Sequence, residues 1–370
     1  MTASEARTPP PPIGRGRVAL WDNARFALIA LVVIGHAIAT VRGETAFGYG
    51  LYVFIYLFHM PAFIALTGAF SKAEASPRIA RSVVQLIVTW LLWEGIWALI
   101  RLFAEGDPPG RNWLVAPAWT LWFLVTLATM RILLPYIARL RHPFVVSVII
   151  ALAAGLSPAI GTAFSAQRTL CLLPFFVGAW LARERGWFER ERFLRPGPAL
   201  TAAAWGVFAA VVAVLVALPG LRDFWRIDSW ITWNRDYAAL LGGEGAIGDW
   251  SPDAWWQLAL AGVGVRTALL VIAAAMTLAL VIVIPRARGF VSTWGTRTLY
   301  VYLLHGPIIW TLRETGAVRA IGRLGEGGVL ILVAVAVAIA VVLSTGWVAR
   351  ALRPVIEPRL EWLFAREPAR

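Results

Sequence analysis

Ten apolar runs divide this chain, at about 23–41, 49–70, 82–103, 117–137, 143–162, 168–183, 199–218, 258–284, 296–312 and 328–349. Most approach the ~20 residues that a helix needs to cross a bilayer. Such a series leaves few folds open, because backbone groups in lipid must find partners within the spanning structure, as they do in a helix. Composition agrees: 59% of residues are hydrophobic, 15% are charged and the mean hydropathy is +0.70. A soluble domain is roughly half apolar and a quarter charged. The expectation is an all-α integral membrane protein, a bundle of about ten transmembrane helices. Residues 1–18 are polar and Pro-rich and read as a disordered cytoplasmic tail rather than a cleavable signal. A transmembrane domain over 19–350 and a cytoplasmic C-terminal tail over 351–370 complete the division.

The net charge is +13, carried almost wholly by arginine, with Lys72 the one lysine. In a soluble protein this charge would suggest nucleic acid; in a polytopic one it follows from the excess of Lys and Arg in cytoplasmic loops. With the N-terminus inside, 21 of the 34 basic residues fall on its side of the membrane. Both termini are therefore expected in the cytoplasm, and no nucleic-acid partner is expected. Cys171 is the single cysteine, so no internal disulfide forms.

Residues 219–257 make the one long connection, on the outer side, and hold Trp225, Trp230, Trp233, Trp250, Trp255 and Trp256 among six acidic residues. Two readings stand: an interfacial aromatic belt, or a lid that stacks and hydrogen-bonds a polar acceptor, with Trp230, Trp233 and the intramembrane Arg266 as its contacts.

Ionisable side chains inside spans are costly and mark function. Arg25 and His36 share the first run; eleven residues at ~100° and ~1.5 Å each place them on one helix face, ~16 Å apart. By the same rise His59, Glu94 and His305 lie ~15, ~18 and ~13 Å from the cytoplasmic or outer ends of their spans, near the midplane. Three chemistries fit the group. A proton-coupled transporter would use it as a relay. A metal site would need ligand spacing of the His-x-x-x-His kind, which is absent, so no metal is expected. An acyltransferase would use a histidine as base or nucleophile, with a carboxylate fixing its tautomer. Arg78 and Arg81, three residues apart at the start of the third span, join Arg25 and Arg131 on the cytoplasmic side. Arginine clusters there suit phosphates.

Five motifs resemble one family. They are Asp22-Asn23-Ala24-Arg25…Val33-Ile34-Gly35-His36, Phe58-His59-Met60-Pro61-Ala62-Phe63…Thr67-Gly68, Arg78-Ile-Ala-Arg81, Leu121-Trp122-Phe123-Leu124 and Tyr302-Leu303-Leu304-His305. In order and spacing they resemble the membrane-bound acyltransferase-3 family, most closely its fucose 4-O-acetylase-like branch, which often has Lys where Arg25 stands. The resemblance implies transfer of an acetyl or longer acyl group from cytoplasmic acyl-CoA to a hydroxyl of an extracytoplasmic or lipid-linked glycan or small molecule. It implies Arg25, Arg78, Arg81 and Trp122 along the donor path, which Arg131 is expected to join by its place on the same side. His36 would be general base or nucleophile, with His59, His305 and Glu94 orienting it or stabilising the oxyanion. Glu94 is placed there by depth, not by a motif.

Overall fold

The computed structural model describes residues 19–106, 108–358 and 360–364. The N-terminal tail expected over 1–18 lies outside them. Each of the ten apolar runs contains a helix: α1 (Ala19–Ile38), α2 (Ala46–Ala69), α3 (Pro77–Glu105), α4 (Trp122–Ile137), α5 (Pro143–Ala153), α6 (Ala166–Glu184), α7 (Pro198–Ala217), α8 (Trp255–Val283), α9 (Thr298–Glu314) and α10 (Glu326–Leu343). Six of these, α1, α2, α3, α7, α8 and α10, are long and apolar enough to cross a membrane. Among the described residues β pairing is confined to isolated bridges at Trp225, Ile247 and Trp250.

The boundaries follow local chemistry. Thr45 caps α2, its hydroxyl accepting from the Gly48 amide at 2.9 Å. Ser76 caps α3 in the same way, with Pro77 in the first turn, where a missing N–H costs nothing. Gly106, at φ 68°, ends α3. Residues 351–356 of the expected C-terminal tail belong to a further helix, α11 (Gly346–Ile356), whose Ile356 is fully buried.

α1 sits at the centre and is buried along most of its length, whereas α7 buries only Ala204 and Phe208. The first motif explains part of this. Asn23 donates from Nδ2 to the carbonyls of Pro285 (2.8 Å) and Ala287 (3.1 Å), and its Oδ1 accepts from Ser292 (2.7 Å). One side chain thus ties α1 to the 285–292 connection. The glycine of the second motif has a packing cause: a Cβ on Gly68 would come within 2.2 Å of the Phe176 carbonyl oxygen, so α2 and α6 touch backbone to backbone.

The long connection is folded. Asp228, almost fully buried, accepts from Arg42 (Nη2, 2.9 Å), Arg226 (Nε, 3.0 Å) and the Tyr49 hydroxyl (3.1 Å), tying the connection to the α1–α2 turn. Burial alone would raise the Asp228 pKa; hydrogen bonds from Arg226 and Arg42, and their charge, outweigh it and hold the carboxyl below its ordinary range. A carboxylate with a depressed folded pKa contributes stability above its unfolded pKa, and that contribution is lost as pH falls through the folded value. Thermal unfolding of the wild type should therefore show an acid limb below about pH 4. Asp228→Asn should flatten that limb and cost about 2 kcal/mol near neutrality; an unchanged acid limb would remove Asp228 as the tie.

Arg266 and Trp230 have a setting other than the acceptor contact expected of them. Arg266 is fully buried on α8, within 5.4–6.0 Å of the ring centroids of Trp230, Trp233 and Tyr237, and donates to the Arg235 carbonyl (3.2 Å) and Cys171 Sγ (3.2 Å). Trp230 donates its indole N–H to the Gly245 carbonyl at 2.8 Å. The aromatics of the loop therefore enclose a cation and anchor the loop to α8. Trp250, Trp255 and Trp256 remain exposed, as an aromatic belt would be.

Candidate active site

A cavity of about 420 Å³ runs between α1, α2, α4, α6 and α9. From α1 it takes Arg25, Ile29, Val32 and His36, and just beyond the helix Ala39. That series repeats every three or four residues, which is one helix face. Arg25 and His36 thus share a wall, Arg25 at one end and His36 deeper in.

The two ends differ. At one, Arg25 pairs with Asp22 at 3.0 Å and lies over the Phe70 ring at 5.1 Å. Arg131, in the second half of α4, donates to Ser82 Oγ at 2.7 Å. Phe70 and Ser82 flank the short α2–α3 turn, so both cations belong to one mouth. Arg78 and Arg81 are exposed on the turn of α3 just before Ser82, outside the cavity wall, with Arg81 over the Phe364 ring at 5.4 Å. At the other end lie Arg168, Arg313 and the loop residues Ile231, Thr232 and Trp233. Trp233 holds a left-handed backbone, φ 59°, uncommon for a bulky residue and costly by about 1–2 kcal/mol. Of the two loop tryptophans expected at an acceptor, it alone reaches the cavity.

His36 faces the middle. Its ring centroid is 5.4 Å from that of His305, 4.8 Å from that of Trp119 and 6.5 Å from that of Tyr56, whose ring in turn lies 4.7 Å from His59. No hydrogen bond to the His36 ring is formed among the described residues. His59 and His305 each use Nδ1 on the carbonyl four residues back, Ile55 at 2.8 Å and Val301 at 3.0 Å. A carbonyl can only accept, so both rings carry a proton on Nδ1, and in the neutral form each presents Nε2 as an acceptor. His305 Nε2 is buried without a partner among the described residues.

Glu94 does not join the histidines. Its Oε1 accepts from the Trp90 indole (2.8 Å) and from the Ala118 amide (2.7 Å). It pins the segment that presents Trp119 and Thr120 to the cavity, and Tyr302 holds the same segment by donating to the Thr120 carbonyl at 2.5 Å. Trp122, expected on the donor path, lines the cavity with Arg168 over its ring at 4.7 Å. No group of three or more His, Cys, Asp or Glu placed to hold a metal occurs among the described residues.

Sequence reasoning missed Arg168 and Arg313. Both sit at helix ends, where an arginine looks like ordinary loop charge. Arg313 turns inward: it donates to the His36 carbonyl and lies over the Trp119 ring at 4.4 Å.

The family model described as an acyltransferase domain matches residues 18–347, nearly the whole chain. The chain belongs to the acyltransferase-3 family. It is a membrane acyltransferase, and family membership chooses among the three chemistries that the buried histidines left open. No curated protein and no solved structure matches the chain.

Proposed function

We propose that this acyltransferase moves an acetyl or longer acyl group from acyl-CoA, entering at the Arg25–Arg131 mouth, to a hydroxyl of an acceptor entering at the Arg168–Arg313 end. The observation that carries the reading is one cavity lined from Arg25 and Arg131 to Arg313 with His36 between them. The family fixes the reaction type; the geometry suggests how two substrates of different character meet. The donor has a polyanionic head and a long thin arm. Arg25 and Arg131 suit the phosphates, with Arg78 and Arg81 one turn outside, and the apolar wall of α1 suits the arm. We place both termini and this mouth in the cytoplasm, ten spans in a cell membrane, and the acceptor, a glycan or hydroxylated small molecule, on the far side. The motifs of α1 and α2 favour the fucose 4-O-acetylase-like branch.

His36 acts as general base. It takes the proton of the acceptor hydroxyl while that oxygen attacks the thioester carbon. The tetrahedral intermediate collapses with cleavage of the carbon–sulfur bond, and the proton passes from His36 to the departing thiolate. His305 Nε2, an acceptor without a partner, suits the N–H of the His36 imidazolium and so orients that ring. Holding the two substrates together contributes further, by making the attack effectively unimolecular.

Calorimetric titration of the purified chain with acetyl-CoA tests the reading. Wild type should bind, and Arg25→Gln with Arg131→Gln should weaken binding at least tenfold, since each charge-assisted hydrogen bond is worth about 1.5–3 kcal/mol before screening at the mouth. Unchanged affinity in the double variant would place the donor elsewhere. Labelled acetyl-CoA supplied without acceptor should leave no label on the protein; a label on His36 would make it the nucleophile.

A further inference from the structure

The outer-loop arginines Arg226 and Arg235 have carboxylate partners, Asp228 at 3.0 Å and Glu244 at 2.8 Å, and Arg42 at the α1–α2 turn shares Asp228 at 2.9 Å. Arg168 and Arg313 do not. Among the described residues neither pairs with a carboxylate, yet both line the cavity. Each has one face on an indole, Arg168 on Trp122 at 4.7 Å and Arg313 on Trp119 at 4.4 Å. Each spends one donor on a backbone carbonyl, Arg168 Nε on Thr232 at 3.2 Å and Arg313 on His36. Among the described residues the Nε of Arg313 is buried without a partner. A guanidinium has five N–H donors, so most of the fork on each side chain is unspent, and stacking holds each fork in place.

Two cations that line one partly enclosed cavity, neither paired with a carboxylate among the described residues, have lost part of their hydration, a costly arrangement unless an anion completes it. The arrangement also lies beside the reacting residue, because Arg313 grips the backbone of His36 itself. Around the pair the wall offers rings: Tyr52 and Tyr56 stack at 4.0 Å, and both line the same space. Stacked rings beside forked cations suit a compact molecule with an apolar face, hydroxyl groups and one acidic group.

We propose that Arg168 and Arg313 form an anion-binding subsite that takes an acidic group on the acyl acceptor, so that the acceptor is a hydroxylated anion, such as an acidic sugar, rather than a neutral one. This rests on the proposed function, which puts the acyl-CoA phosphates at the opposite mouth. Holding the acidic group at the pair presents a neighbouring hydroxyl to His36.

A matched pair of probes tests the proposal on the purified full-length chain: methyl glucuronide, and the neutral methyl glucoside, titrated calorimetrically with acetyl-CoA measured in parallel. The glucuronide should bind at least tenfold more tightly than the glucoside. Arg168→Gln should lower glucuronide affinity about tenfold, remove most of the discrimination and leave acetyl-CoA affinity within about twofold. Arg313→Gln should do the same, and because Arg313 also holds a helix end, its thermal midpoint is measured with its binding. The wild-type comparison needs no variant and stands even if both variants fold poorly. Equal binding of the two probes, no binding of either, or discrimination that survives Arg168→Gln would overturn the proposal. Loss of acetyl-CoA affinity in Arg168→Gln with glucuronide affinity intact would assign the pair to the donor and overturn it as well. Failure of the wild type to bind acetyl-CoA with the probes still discriminated would instead strike the donor assignment and leave the anion subsite standing.

Discussion

His36→Gln is expected to lower acyl transfer by at least 10²–10⁴-fold, the usual worth of a positioned general base, while the protein folds and binds acyl-CoA as the wild type does. The prediction follows from placement. His36 lies mid-cavity with no hydrogen bond to its ring among the described residues, so its loss leaves no partner stranded. Gln keeps much of the volume and a hydrogen-bonding end but cannot take a proton. A packing histidine would behave in the opposite way: His36→Ala would lower the thermal midpoint, and residual activity would follow the folded fraction. His305→Gln removes the Nε2 acceptor beside His36 and should give a smaller loss, mainly in kcat, because His305 acts through His36.

Glu94→Ala should destabilise the protein by about 3 kcal/mol, since it leaves the Trp90 indole and the Ala118 amide buried without a partner. Glu94→Gln keeps an acceptor oxygen and should cost about 1 kcal/mol or less and retain most activity. This pair of variants separates two roles. A carboxylate that moves protons or fixes the tautomer of a histidine fails equally as Gln or Ala, whereas one that pins the 118–120 segment is spared by Gln. Thermal midpoints and transfer rates of both variants decide it, and loss of transfer in a well-folded Glu94→Gln would return Glu94 to the chemistry.

The depth argument that grouped Glu94 with the histidines shows where sequence reasoning stops. A helix lies in each of the ten apolar runs, though in the fifth it covers only Pro143–Ala153. Helical geometry also fixed the face: Arg25 and His36 share a wall because eleven residues make about three turns. Depth says nothing of which neighbour a side chain faces, and Glu94 turns to an indole and a backbone amide instead. The reverse failure hid Arg168 and Arg313. An arginine at a helix end looks like loop charge, and only the packing of α6 and α9 around Trp122 and Trp119 shows both turned inward. The aromatic loop misled for a third reason. Its tryptophans could stack on a ligand or on each other, and the buried cation that decides between these, Arg266, comes from a helix of its own.

The most direct test of the central claim, that donor and acceptor reach His36 from opposite ends of one cavity, is transfer across a sealed membrane. Proteoliposomes of one orientation would enclose labelled acetyl-CoA on the side of the Arg25–Arg131 mouth, with a glycan extract of the cell envelope outside. Label should appear on the outer extract with wild type, with no escape of CoA, and should fall to background with His36→Gln. Transfer only when acetyl-CoA and the extract share one side, or wild-type transfer by His36→Gln, would contradict the account.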